Sequence, residues 1–351
     1  MNILVINPGS TSTKVALFSG ETELAQKKIN HTHDELSQFE TIRDELPMRI
    51  MRVKEFINEL PIKGDALHVV VGRGGMLPPV RHGAYVVDKA LVNTLLDHPV
   101  EQHASNLGAG IAYEIATEYG IPAYIYDSVS VDELEPLARL SGVKGYDRRS
   151  FSHVLNTRAV ARKVADRESF DLLSSNVIVA HLGGGISLNL QSKGQMIDVV
   201  SADEGPFSTE RAGGLPIFTA VQIARNEGID ALYDYETGKG GLLSYTGSND
   251  AITIEQQAAS GDAYMALLYE ALSYQVAKAI GGLATVVDGD LQAIILTGGM
   301  AHSKRVTDEI EKRVRFMAPV HVFPGELEME ALALGALRVM QKEEEAFCFL
   351  P

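Results

Sequence analysis

Cysteine is nearly absent from this chain of 351 residues, where Cys348 stands alone. No intrachain disulfide can form and no CxxC metal or redox motif exists, so a reducing, cytoplasmic setting is expected. Long apolar runs are missing too. None approaches the roughly 20 residues needed to span a bilayer, and the start, MNILVINPGS, carries no charged segment ahead of an apolar one. No membrane partner is expected. Positive charge is in deficit, with 31 Lys and Arg against 46 Asp and Glu, a formal charge of −15. Such a chain is a poor ligand for nucleic acid. Two nucleotide signatures are also lacking. No GxGxxG run sits at a strand–helix junction, and Thr13 stands before Lys14 where a Walker A loop needs glycine.

What is present is ordinary globular material: 45% hydrophobic and 22% charged residues, in a length that suits two domains. Apolar runs at 3–6, 15–18, 67–71, 123–126, 177–180 and 293–296 read as strands. Longer periodic stretches read as helices. One covers 104–119, capped by Ser105 and stopped by Gly120 and Pro122. Another covers 262–283, with Leu268, Leu272, Val276 and Ile280 on one stripe. A third covers 303–317, with Val306, Ile310 and Val314 inward and Glu309 and Arg313 paired outside. Strands alternating with helices predict an α/β protein. Residues 3–18 and 177–191 share a strand, small-residue turn, strand pattern about half a chain apart. That spacing predicts two similar domains facing a cleft, divided near 149–160.

Three turns carry the polar and glycine residues that phosphate chemistry uses. Asn7-Pro8-Gly9-Ser10-Thr11-Ser12-Thr13-Lys14 offers backbone N–H groups, hydroxyls and one cation, more than a hairpin turn requires. His181-Leu182-Gly183-Gly184-Gly185 lets a ligand approach the backbone. Thr297-Gly298-Gly299-Met300 lies between a strand and a helix, where nucleotides commonly sit in α/β sheets.

Together NPGSTSTK, SFSH at 150–153, AHLGGG at 180–185, ERAGG at 210–214 and LTGG at 296–299 resemble the acetate/butyrate kinase family, within the acetate-and-sugar-kinase/Hsp70/actin superfamily. The likeness spans nearly the whole chain and is nearest to the butyrate and branched-chain members. It implies two duplicated actin-like (ribonuclease H-like) domains, 1–155 on the acceptor side and 156–328 on the nucleotide side, facing an ATP cleft. A last helix at about 329–343 is expected to pack back on the first domain. The implied reaction moves the γ-phosphoryl group of ATP, with Mg²⁺, to a short-chain carboxylate such as butyrate. It gives an acyl phosphate and ADP, reversibly. A homodimer or higher homo-oligomer is implied as well.

The resemblance also assigns roles. Arg211 is expected to stabilise transition-state charge, His181 to contact the moving phosphoryl group and His153 to assist. Asn7, Ser10, Ser12, Lys14, Gly183, Gly184, Gly185, Gly298, Gly299 and Met300 are expected to bind nucleotide. Asp127, Asn7 and Glu328, with Glu326 and Glu330 as neighbours, are expected around the metal. Arg73, in Gly72-Arg73-Gly74-Gly75, would clamp the substrate carboxylate, with Met76, Leu77, Pro78, Pro79 and Val80 lining its apolar pocket. Three alternatives stay open: an acetate/propionate kinase, a hydroxyl (sugar) kinase with Asp127 as base, and a non-enzymatic actin/Hsp70-like nucleotide-binding module. Two phenylalanines in the tail 342–351 suggest docking on this chain or on a partner.

Overall fold

The structure, a computed structural model, describes residues 1–60, 62 and 64–350. Two compact units divide it, one of residues 1–132 with 327–351 and the other of 133–326. In the first unit the strands are β1 (Asn2–Pro8), β2 (Ser12–Ser19), β3 (Thr22–Asn30), β4 (Val69–Arg73), β5 (Ala84–Val86) and β6 (Ala123–Tyr126), in the order β3-β2-β1-β4-β6-β5. In the second they are β7 (Asn176–Leu182), β8 (Ile186–Ser192), β9 (Gln195–Val200), β10 (Ala293–Gly298) and β11 (Val320–Pro324), in the order β11-β10-β7-β8-β9. Each sheet is built on an antiparallel meander (β1-β2-β3, β7-β8-β9) whose first strand pairs in parallel with β4 or β10. The duplicated pattern at 3–18 and 177–191 is therefore one topological unit used twice.

The inner strands are sheathed on both faces, so they read as continuous apolar runs instead of alternating ones. Every residue of β1 after Asn2 is buried, and so is all of β10. Six helices matter below: α1 (Leu46–Glu59), α2 (Leu107–Tyr119), α3 (Val154–Glu168), α4 (Ala263–Val286), α5 (Lys304–Val314) and α6 (Glu328–Met340). The stripe read in α4 is buried as its spacing requires, and the Asp262 side chain caps it by accepting from the N–H groups of Tyr264 and Met265. Ser303 caps α5 in the same way, through the Val306 N–H.

Two details differ from the sequence reading, and a third settles one of its alternatives. Residues 104–106 form a tight 3₁₀ turn before α2 begins at Leu107, and the His103 ring, not Ser105, accepts the cap bond. The units divide between Asp132 and Glu133, upstream of residue 155. The intervening segment is tied to β9: Glu133 accepts from the Met196 N–H, Glu135 N–H donates to Ile197 O, and Arg148 pairs with Asp198. The tail docks on its own chain. Phe347 exchanges backbone bonds with Ala84 and Val86 and packs its ring 5.4 Å from Tyr85, and Phe349 is buried. Pro351 lies outside the described residues. Helix α6 packs against β1, β4 and β6. Among the described residues, no helix is long and apolar enough to cross a membrane.

Candidate active site

In the first unit, parallel strands β1 and β4 end side by side and bring their last side chains together. Asn7, buried at the end of β1, donates through Nδ2 to Glu328 Oε2 at 2.8 Å. Arg73, ending β4, donates through Nη1 to Glu328 Oε1 at 2.6 Å and to Asn7 Oδ1 at 3.4 Å. Glu328 opens α6, where the helix dipole favours an anion. Of the three glutamates read in the sequence, Glu328 is the one bonded to both Asn7 and Arg73.

The glycines around Arg73 are there for close packing. A Cβ on Gly72 would stand 2.4 Å from Gly108 O, and one on Gly108 would stand 2.3 Å from Arg73 O. Helix α2 can thus lie directly on the end of β4. Beyond them, Gly75 O accepts from the hydroxyls of Ser128 and Ser130, and Asn106 Oδ1 holds the Met76 N–H. Met76, Leu77 and Val80 are buried. Asp127, just past β6, is buried at a φ of 41°, a left-handed conformation that short acidic side chains tolerate. Its Oδ1 accepts from Gly83 N–H at 2.8 Å, and its own N–H donates to Gly83 O.

In the second unit, His181 is the last residue but one of β7 and is 2% exposed. Thr297 Oγ1 donates to Gly325 O, so its oxygen accepts from Asn156 Nδ2, and that amide also donates to His181 Nδ1 at 3.0 Å. A neutral His181 therefore carries its proton on Nε2. That nitrogen lies against Gly183 and is 3.7 Å from Glu326 Oε1. His153 stacks on His181 with ring centroids 3.8 Å apart, and its Nδ1 pairs with Ser187 Oγ. The sequence reading singled out both histidines but missed Asn156, which orients one of them.

The Arg211 guanidinium lies over Gly185, 3.2 Å from where a Cβ would stand. Ser208 ties the two loops together: its hydroxyl donates to Gly184 O and accepts from the Arg211 N–H. A second residue escaped the sequence reading here. Burial pushes the Glu236 carboxyl up to about 7, and Asp203 adds to the rise while Arg211 and the Gly213 N–H oppose it. The third turn is equally constrained. Gly298 adopts a φ of 90°, and a Cβ there would strike Leu182 O at 2.4 Å. Gly299 and Met300 open the short turn after it, Gly299 exposed and Met300 buried.

Ser10, Ser12 and Lys14 stand on the loop between β1 and β2 and at the start of β2, with Ser10 exposed and Ser12 and Lys14 partly so. Among the described residues, no three His, Cys, Asp or Glu side chains converge as a metal cage.

A family model described as the Acetokinase family matches residues 123–323, more than half of the chain. The chain belongs to the Acetokinase family. That segment contains Asp127, His153, His181, the Gly183–Gly185 run, Arg211 and Gly298–Met300. Asn7, Lys14, Arg73 and Glu328 fall outside it. Solved structures of similar fold include the acetate kinase of Porphyromonas gingivalis, at 17% identity, covering 98% of this chain and 100% of that one with a TM-score of 0.77. The acetate kinase of Entamoeba histolytica matches at 19% identity over 99% and 100%, TM-score 0.75. A propionate kinase from Francisella tularensis subsp. tularensis SCHU S4 matches at 17% over 95% and 98%, TM-score 0.74. The two sheets thus belong to the two actin-like domains of this Acetokinase family member. Family membership makes the chain an ATP-dependent kinase with a carboxylate acceptor.

Proposed function

We propose that the chain phosphorylates butyrate or a branched-chain relative with MgATP, giving an acyl phosphate and ADP, and runs readily in reverse. The observation that carries the reading is the Acetokinase match across the segment that holds Arg211, His181 and the glycine turns. A short-chain acid titrates near 4, as Asp and Glu do, so at neutral pH the acceptor is already an anion and no general base is required. One carboxylate oxygen attacks the γ-phosphorus, and the bond to the ADP oxygen breaks with its electron pair leaving on ADP. The obstacle is repulsion between anions, which cations and fixed donors lower. Arg211 supplies a planar fork of donors suited to the moving phosphoryl group. His181 supplies an N–H fixed in direction by Asn156. Arg73 pairs with the acceptor carboxylate, and the glycine turns and the 7–14 loop receive the nucleotide phosphates.

The residues read for the cation are one carboxamide and two carboxylates, an all-oxygen set that suits Mg²⁺. Both Glu328 oxygens and one Asp127 oxygen already accept N–H bonds. Carboxylates already held by N–H donors suit an ion that keeps most of its own water. Asn7, Asp127 and Glu328 would hold Mg²⁺, which when bound would supply neutralising positive charge.

Support for a longer or branched acid comes from the buried, apolar run Met76, Leu77 and Val80 that follows Arg73. One methylene in an apolar acceptor pocket is worth only ~1–3 kcal/mol, so related acids are expected to overlap as substrates. Trapping the acyl phosphate with hydroxylamine, over acetate, propionate, butyrate, isobutyrate, isovalerate and a sugar control, ranks the acceptors. Signal strongest with four- and five-carbon acids supports the proposal. Signal strongest with acetate or propionate moves the acceptor to those acids, and silence with every acid rejects the proposal.

A further inference from the structure

Helix α1 buries Arg49, Val53, Phe56 and Ile57, an apolar stripe with a charged residue at its first position. Arg49 is wholly buried, and every nitrogen of its guanidinium is engaged. Nε donates to Glu45 Oε2 at 2.8 Å, and Nη2 lies 2.7 Å from the same oxygen in the ion pair. Nη1 donates to Gly9 O at 2.9 Å, Thr13 Oγ1 at 3.1 Å and Ser12 O at 3.4 Å, and Nη2 to Ser10 O at 3.2 Å. Thr13 Oγ1 is also paired with Nε2 of the buried His31 at 2.9 Å. Three carbonyls of this segment, those of Gly9, Ser10 and Ser12, therefore face inward, onto one cation.

Across a planar trans peptide the C=O and the following N–H point in opposite directions. With Gly9 O and Ser10 O turned in to Arg49, the N–H groups of Ser10 and Thr11 turn outward, and both residues are exposed. An outward row of N–H groups is the backbone arrangement that cradles an anion. We propose that Arg49 is the positioning residue of this loop: it anchors the loop carbonyls from below so that the N–H groups and hydroxyls above meet a nucleotide phosphate. This rests on the reading that the 7–14 loop receives phosphate. Glu45 neutralises the buried charge without touching the loop.

Three variants separate positioning from stability. R49K keeps the charge but loses the fork that spans the carbonyls. E45Q disturbs the buried ion pair and leaves the four loop bonds. T13V removes one Nη1 acceptor at nearly constant volume. For each, MgATP affinity is measured by calorimetry, and KM and kcat for MgATP and for butyrate in the hydroxamate assay, beside thermal unfolding. R49K is expected to weaken MgATP binding and raise its KM about tenfold or more, with KM for butyrate within twofold. E45Q is expected to lower the unfolding temperature while KM for MgATP stays within twofold. A merely structural Arg49 lowers the active fraction, and so kcat, and leaves both KM values alone. That result, or equal losses of MgATP affinity in R49K and E45Q, overturns the proposal while the kinase reading stands. Should R49K not fold, T13V decides the matter: a two- to fivefold rise in KM for MgATP supports the proposal, and an unchanged KM overturns it. Wild-type protein that fails to bind MgATP at all rejects the phosphate reading of the loop, and this inference with it.

Discussion

Replacing Gly72 by alanine tests how tightly the first sheet and α2 are joined beneath Arg73. The added Cβ would stand 2.4 Å from Gly108 O and 2.8 Å from its carbonyl carbon. Atoms that close must separate by nearly 1 Å to reach ordinary contact. Both partners are backbone, so no rotamer change relieves the clash, and β4 must move off α2. Overpacking a core commonly costs about 1–3 kcal/mol, and a clash between two backbones belongs at the top of that range. We therefore expect a loss of about 3 kcal/mol, read as the shift of the urea midpoint at constant slope and followed by far-UV circular dichroism. Because Gly108 also packs on Arg73 O, the same shift displaces Arg73, and KM for the acceptor acid should rise more than KM for MgATP. A variant within 0.5 kcal/mol of wild type, with unchanged KM for the acid, would refute the argument that close backbone approach holds Arg73 in position.

Arg211→Ala is expected to lower kcat about 10³-fold, the scale of losing one charge-stabilising donor or arginine, with KM for MgATP changed only a few-fold; near-wild-type turnover removes Arg211 from the reaction. Glu328→Gln replaces the anion to which both Asn7 and Arg73 donate. Charge-assisted bonds run about 1.5–3 kcal/mol, and partial exposure of the Arg73–Glu328 pair brings the expected loss of stability to about 1 kcal/mol. The Mg²⁺ concentration for half-maximal rate should rise as well, and an unaltered Mg²⁺ dependence excludes Glu328 from the cation site. Burial, with Arg49 adding, lowers the His31 pKa from 6.5 to about 4. Between those values the unfolded chain binds a proton that the folded one refuses, so stability falls as pH drops from about 6.5 to about 4, by on the order of 2 kcal/mol. His31→Gln should flatten that slope in urea titrations across the window, and identical slopes would show that His31 does not titrate there.

Much of this site was legible because its chemistry is local. Glycine turns at strand ends, a lysine after a hydroxyl-rich turn, and an arginine flanked by glycine stand out in the chain itself. Asn156, Arg49, Glu236 and His31 do not. Each acts through partners distant in sequence, such as Asn156 through Thr297 and Arg49 through Gly9. The one available signal was Arg49 at a core-facing position of an amphipathic helix. The strands that escaped notice are edge or second-rank strands: β3 exposes most of its residues, and β11 is only half-buried, so neither carries an apolar period.

The sequence by itself determined the α/β class, the repeated strand–turn–strand unit, the starts of α4 and α5 and the buried stripes, because propensity and hydrophobic period act over a few residues. Tertiary structure decided the rest. It bonded Glu328 to Asn7 and Arg73 by bringing α6 to the ends of β1 and β4. It set the proton of a neutral His181 on Nε2 through Asn156 and Thr297, and it turned a buried arginine into the floor of the 7–14 loop. Those choices depend on which groups lie within about 3 Å of one another across hundreds of residues, and hydrogen bonds and excluded volume fix that only once the chain has folded.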